Sequence, residues 1–287
     1  MKKRTVRILL ICIVIGCVLT SVYFLWPREK QVYQHGIQYT QCPPAEENDW
    51  WGSGDSKAFQ DAAAAKTVTV SWQGKQYVGE YEYSYHKMRL SYLSDNYKTA
   101  DGTEFEIRRG DGALVFLHDI ERLTGDEEDL PDTENAVDKI AKDFVNSIAN
   151  VDEYQLKKEP QNFQDRDGRK RTVYYYEFKR MIHGRWTSDH IYLRITSKGD
   201  IIYMALGDVG AFSEVSKWKL DSFAKLDGKE MLQQATANTN VTIVEADQEI
   251  YAINPKGELV LQVLAEIQYR KTSDSYPVTA AASFIIK

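Results

Sequence analysis

The chain has 287 residues, 43% of them hydrophobic and 27% charged, with a net charge of −6. That length holds one large or two small domains, and that balance excludes a wholly disordered chain. Residues 1–30 hold six of the 36 Lys and Arg and one of the 42 Asp and Glu, leaving 30 basic against 41 acidic side chains beyond them; a surface near −11 argues against nucleic acid as a partner.

The N-terminus departs from this average. Residues 1–7, MKKRTVR, are basic, and Ile8 to Trp26 follow without a charge. Nineteen apolar residues at ~1.5 Å each approach the ~30 Å hydrocarbon core of a bilayer. The expectation is a single transmembrane helix over 8–26, its basic end in the cytoplasm and everything after Pro27 outside. Two alternatives stand beside it. A cleaved secretory signal usually has a shorter apolar stretch and a small-residue cleavage site, which is missing here. A lipoprotein signal would use Val14-Ile15-Gly16-Cys17, with Cys17 the candidate lipidation site, although the apolar run continues past it. Cys42 is the one cysteine of the exported part, so no intramolecular disulfide is expected there.

Residues 27–66 read as an extracytoplasmic tether rich in Pro, Gly, acids and Ser, with Trp50 and Trp51 docking it to the body and QDAAAAK adding a helical turn. A β-rich unit over 67–130 follows. Val68, Val70 and Trp72 alternate, QGK turns, Tyr81, Tyr83 and Tyr85 share one strand face, and two strands flank Gly110-Asp111-Gly112. Asp126 to Asp132 form an acidic loop. Val137, Ile140, Ala141, Phe144, Val145 and Ile148 then recur at three and four, predicting a helix from about 133 to 149 capped by Asp132 or Thr133.

In the unit 131–215 that helix leads to strands near 172–182, 189–196 and 200–206, with a tight turn at Ser197 to Asp200. In the unit 216–287 a second helix starts at Asp227, which with Glu230 forms a capping-box pair, while Leu226 and Met231 form a hydrophobic staple. Strands close the chain. The expected fold class is α+β: a transmembrane helix, then antiparallel β meanders each packed with a helix, since hairpin-length links exclude a parallel βαβ sheet.

The stretch ENAVDKIAKDFVNSI followed by YYYEFKRMIHGRWTSDHIYLRITSKGDIIYMAL resembles the PepSY-like modules of bacterial exported and membrane-anchored proteins. Phe178, Arg180, His183, Gly184, Asp189, Ile191, Leu193, Gly199, Ile201 and Tyr203 carry the resemblance over residues 133–206, with a weaker echo over 226–287. The resemblance implies a noncatalytic extracytoplasmic module that restrains a peptidase or binds a ligand near the cell surface. No peptidase region accompanies it, so a restrained enzyme would be a separate polypeptide.

The residues themselves offer little catalysis. His183, Asp189 and His190 are types that ligate zinc or move protons, but neighbours in a strand point to opposite faces and a metal shell needs three or four ligands. Walker, dinucleotide-binding, His-Glu-x-x-His and EF-hand patterns are all missing. The expectation is a membrane-anchored binding or regulatory protein, not an enzyme, without cofactor or metal. Its partner would be an envelope protein or the cell wall, met through Tyr81, Tyr83, Tyr85, Tyr174, Tyr176, His183, Arg185, Trp186 and His190. A glycan- or peptide-binding protein and a tethered metal-dependent hydrolase are the alternatives.

Overall fold

The computed structural model describes residues 32–34, 37–41, 58–86, 90–119, 122, 130, 132–164, 168–213, 215, 217–237, 239, 241–254, 256–269 and 278–286. The apolar run over 8–26, Cys17, Cys42, the tryptophan pair and most of the acidic loop lie outside them. Among the described residues no helix is long and apolar enough to cross a membrane.

Among the described residues fourteen strands form one sheet. They are β1 (Val32–Gln34), β2 (Ile37–Gln41), β3 (Thr67–Trp72), β4 (Lys75–His86), β5 (Leu93–Thr99), β6 (Glu104–Arg108) and β7 (Leu114–His118). After helix α1 (Thr133–Ile148) come β8 (Tyr154–Gln164), β9 (Lys170–Ile182), β10 (Arg185–Thr196) and β11 (Ile201–Leu206). Helices α2 (Lys217–Phe223) and α3 (Gly228–Thr236) precede β12 (Val241–Ile253), β13 (Leu259–Tyr269) and β14 (Val278–Ile286).

The strand order is β1-β2-β14-β13-β12-β10-β11-β7-β6-β5-β4-β3, with β8 and β9 branching from β10. This corrects the expected class. The protein is mostly β, one continuous mixed sheet with three α-helices among the described residues, rather than separate α+β meanders each packed with a helix. The expectation followed local hairpins, and the long-range pairings that fuse them leave no local signal. Three do the fusing: β11 with β7, β2 with β14, and a parallel contact of β10 with β12 at Trp186–Ile250 and Thr187–Tyr251.

β10 carries this architecture because it is twelve residues long while β11 is six. Its later residues pair β11 from Ile191 onward, and its first residues are left to take β12. Between the two contacts Asp208 N donates to Ser188 O at 2.9 Å and Gly207 N to His190 O at 2.8 Å.

Helix α1 forms because its apolar residues recur at helical spacing, and Val137, Ala141 and Val145 are fully buried on Tyr176, Phe178, Ile191, Leu193 and Ile195. Burying each valine contributes roughly 1.5–3 kcal/mol. Its start differs from expectation: Asp132 is left-handed with no capping bond, and Thr133 Oγ1 donates to Leu130 O at 2.6 Å. Helix α3 keeps the expected cap, Glu230 N donating to Asp227 Oδ1 at 3.0 Å, with Leu226 and Met231 buried. Its reciprocal bond is replaced from β1, where Gln34 Oε1 accepts from Asp227 N at 2.7 Å and Gln34 Nε2 donates to Glu230 at 2.6 Å.

Three other differences concern local signals. Within the stretch read as a tether, residues 32–34 and 37–41 are strands. QDAAAAK forms no helix; Asp61 accepts from Ala63 N and pairs with Arg109. β8 is mostly polar and contains Pro160, so it lacks the alternation that marks a half-buried strand, and its pairing with β9 runs along its whole length.

At Gly207 a Cβ would stand 2.0 Å from Ser188 O and 2.7 Å from His190 Nδ1. Gly207→Ala is expected to lower the unfolding free energy by roughly 2–3 kcal/mol, since neither backbone can yield without breaking the β10 junction. Equilibrium urea unfolding of wild type and variant checks this, and an unchanged midpoint would contradict it.

Candidate functional site

Alternation along the strands gives the sheet two chemically different faces. On the face under α1, the register aligns Tyr81, Tyr97, Phe105, Leu117, Met204, Leu193 and Tyr176 across seven strands. On the outer face two rows run in parallel. One aligns Lys98, Glu104, His118, Tyr203, Arg194, Tyr175 and Glu159; the other aligns Asn96, Glu106, Phe116, Ala205, Tyr192, Glu177 and Lys157.

These rows meet at a recess of about 170 Å³ over β8 to β11, lined by Lys157, Glu159, Tyr175, Glu177, Tyr192, Arg194 and Tyr203 among others. Arg194 is half-buried at its centre. Its guanidinium carbon lies 4.8 Å from the Tyr175 ring centre on β9 and 4.4 Å from that of Tyr203 on β11. Cation–π attraction to both strands holds the guanidinium plane between them. Beyond Tyr203 stand Phe116 at 5.4 Å and His118 at 5.5 Å, both edge-on. Burial first, and Arg194 second, push the His118 imidazole below its usual value, while Glu104 and Asp119 oppose the shift.

A smaller recess of about 70 Å³ adjoins it across Tyr192, lined by Lys179, Trp186, Ser188, His190 and Gln248 among others. Lys179 sits 5.2 Å over the Trp186 ring and pairs with Glu177 at 3.0 Å, so its charge is already engaged.

Behind this face, at the β10 junction, two carboxylates are buried. Asp189 accepts from Tyr154 at 2.6 Å and from Gly210 N at 3.1 Å, with Arg180 at 3.4 Å. Asp208 accepts from Ser188 at 2.6 Å and from Ser91 through both Oγ, at 2.6 Å, and N, at 2.9 Å. Burial pushes both carboxyls up against these bonds. They are closed by their own partners and form the seam joining β10, β11 and the segment before β5.

The residues singled out from sequence fall into several places. Tyr174 and Tyr176 pack beneath α1, and Tyr176 donates to Asp138 at 2.6 Å. Tyr81, Tyr83 and Tyr85 do not share a face, because a register shift between Tyr81 and Tyr83 turns Tyr81 to the core beside Tyr97. Tyr83 and Tyr85 lie together at 5.7 Å, and Tyr85 is buried against Glu106. His183 occupies the β9–β10 turn with φ 50° and faces Asp221 at 2.9 Å. Arg185 is a structural pin, binding Glu249, the Leu226 carbonyl and, at 2.7 Å, the Tyr251 hydroxyl. Trp186 and His190 do line the smaller recess. His190 and Asp189 are separated by the sheet, and among the described residues no three of His, Cys, Asp and Glu gather as a metal site.

Sequence reasoning missed Arg194, Tyr175, Tyr192 and Tyr203. The signal was present as parity: once Tyr174, Tyr176 and Phe178 are assigned to the helix, Tyr175 and Glu177 must face outward.

No protein-family model matches this sequence, and the search of curated proteins returns no match. Two solved structures align with it. The Bacillus megaterium YpeB C-terminal domain is 14% identical, with 79% of this chain and 84% of that one covered, at a TM-score of 0.26. MucB is 11% identical, with 82% and 89% covered, at 0.14. At such TM-scores neither likeness carries an argument about this chain.

Two outcomes follow from the site. Arg185→Ala leaves Glu249 and Tyr251 without their shared donor, and is expected to cost roughly 3 kcal/mol in urea unfolding. His118 should titrate below its usual 6.5 by NMR, and Arg194→Gln should raise that value. Because the folded value is depressed, the stability contributed by neutral His118 is full above pH ~6.5 and declines as pH falls through that value toward the folded one.

Proposed function

We propose that this chain is a membrane-anchored, extracytoplasmic, noncatalytic binding or regulatory protein that meets its ligand or partner on the outer face of the sheet. The observation that carries the reading is the recess around Arg194. It is concave, aromatic-lined and supplied with a few polar groups on rigid strands, which is the composition of a binding site. The groups that would make it a hydrolase do not converge: Asp189 and Asp208 sit in the buried seam, His183 is in a turn, and His190, in the smaller recess, is set apart from Asp189 by the sheet. The anchoring part of the reading rests on the uncharged run over 8–26 with its basic flank, and the PepSY-like resemblance over 133–206 points to the same class.

A photo-crosslinking residue in place of Tyr192, in intact cells, is expected to give a recurrent adduct that Tyr175→Ala with Tyr203→Ala removes. The same label at Ile148, exposed on α1, should give none. An adduct from position 148 alone would place the surface on the helix side and overturn the reading. The mass of the mature N-terminus separates an intact span from a chain acylated at Cys17.

A further inference from the structure

We infer that Arg194 is a carboxylate-binding residue, and that its recess takes one small group bearing a single carboxylate. This deepens the binding reading above and rests on it.

The first observation is an imbalance of charge. Arg108, Arg109, Arg122, Arg180 and Arg185 are half-buried, and each pairs with a carboxylate of this chain. Arg194 is also half-buried and, among the described residues, has no carboxylate within ion-pairing distance; the two tyrosine rings flank it. Removing a guanidinium from water without an anion is costly, so the site is electrostatically incomplete until one arrives.

Geometry supplies the second. The rings of Tyr175 and Tyr203 come from the strands on either side and are the direct cross-strand partners of Arg194. They engage the guanidinium through their faces, which leaves its hydrogen-bonding N–H groups for an acceptor. A planar fork held in one orientation matches the two oxygens of a carboxylate.

The rim decides the charge of the ligand. Glu159, exposed opposite Tyr175, and Glu177, its charge partly met by Lys179, both line the recess. A doubly charged phosphate would meet Glu159 at close range, whereas a single carboxylate satisfies Arg194 and leaves Lys157 and Glu159 for polar parts of the ligand. Size is limited too. A recess of about 170 Å³ lies below the ~300–1,000 Å³ of sites for drug-sized ligands, so it admits one amino-acid-sized or sugar-ring-sized group.

The test uses the full-length protein in detergent micelles, labelled with ¹⁵N-arginine, and follows the Arg194 Nε–Hε resonance, assigned by its loss in Arg194→Lys. N-acetylalanine and glucuronic acid are titrated beside their uncharged counterparts, N-acetylalaninamide and glucose, and beside inorganic phosphate. At least one acid is expected to shift the resonance saturably and at least tenfold more tightly than its counterpart, and which acid does so separates a peptide-like source from an acid sugar. Arg194→Gln should weaken that binding at least tenfold, read from the surrounding tyrosine resonances. Acids that bind no better than their counterparts, or phosphate that binds more tightly than both, would overturn the inference. Should Arg194→Gln fail to fold, the comparison of acid with amide on wild type decides alone. A crosslinked adduct at position 192 without any carboxylate shift removes the Arg194 inference and leaves the binding reading intact. A carboxylate shift without an adduct supports both, and identifies the occupant of the outer face as a small ligand.

Discussion

The structure depends on one unequal pairing. β10 is twice as long as β11, so one edge of a single strand serves two neighbours: β11 along its later residues and β12 at its beginning. A sheet that would otherwise run only from β10 through β9 to β8 thereby gains a second branch, through β12, β13 and β14 to β2 and β1. Four apolar clusters form along it among the described residues: under α1, under α3, among β4 to β7, and a small one at Leu90, Tyr92 and Val115.

Such a junction exposes backbone groups where one neighbour leaves and the next arrives, and buried backbone must be bonded. The chain meets this with Gly207 and Asp208 bonded to His190 and Ser188, and with carboxylates that collect donors from several segments at once. Asp208 ties Ser91 to Ser188, and Asp189 ties Tyr154 to Gly210. Their burial raises both carboxyls, and the hydrogen bonds they collect oppose the rise. Sequence inspection finds Asp189 beside His190 and suggests chemistry; in space the pair is split between a seam and a surface.

The same alternation that buries Leu193 and Tyr176 places Arg194 and Tyr175 on the far side of the sheet. The candidate site is therefore a by-product of strand parity, refined by cross-strand neighbours that lie far apart in the chain. Trp186 and His190 were visible as surface candidates because polar aromatics in a strand stand out. Arg194 was not, since one arginine among charged residues becomes distinctive only when its paired counterparts are known.

The sequence by itself determined the local elements: helix α1 from apolar residues at three and four, the cap of α3 at Asp227, the turn at His183-Gly184, and the strands around it, because each depends on residues within a few positions of one another. It also determined the uncharged run at the start and the acidic balance of the rest. Only the tertiary structure decided that the strands form one sheet, that β8 is a strand at all, that Tyr81 parts from Tyr83, and that Arg194 lies between two tyrosines with no carboxylate partner among the described residues. Those outcomes depend on which distant strand supplies each hydrogen bond, and backbone pairing is blind to side-chain pattern until burial of a face selects the register.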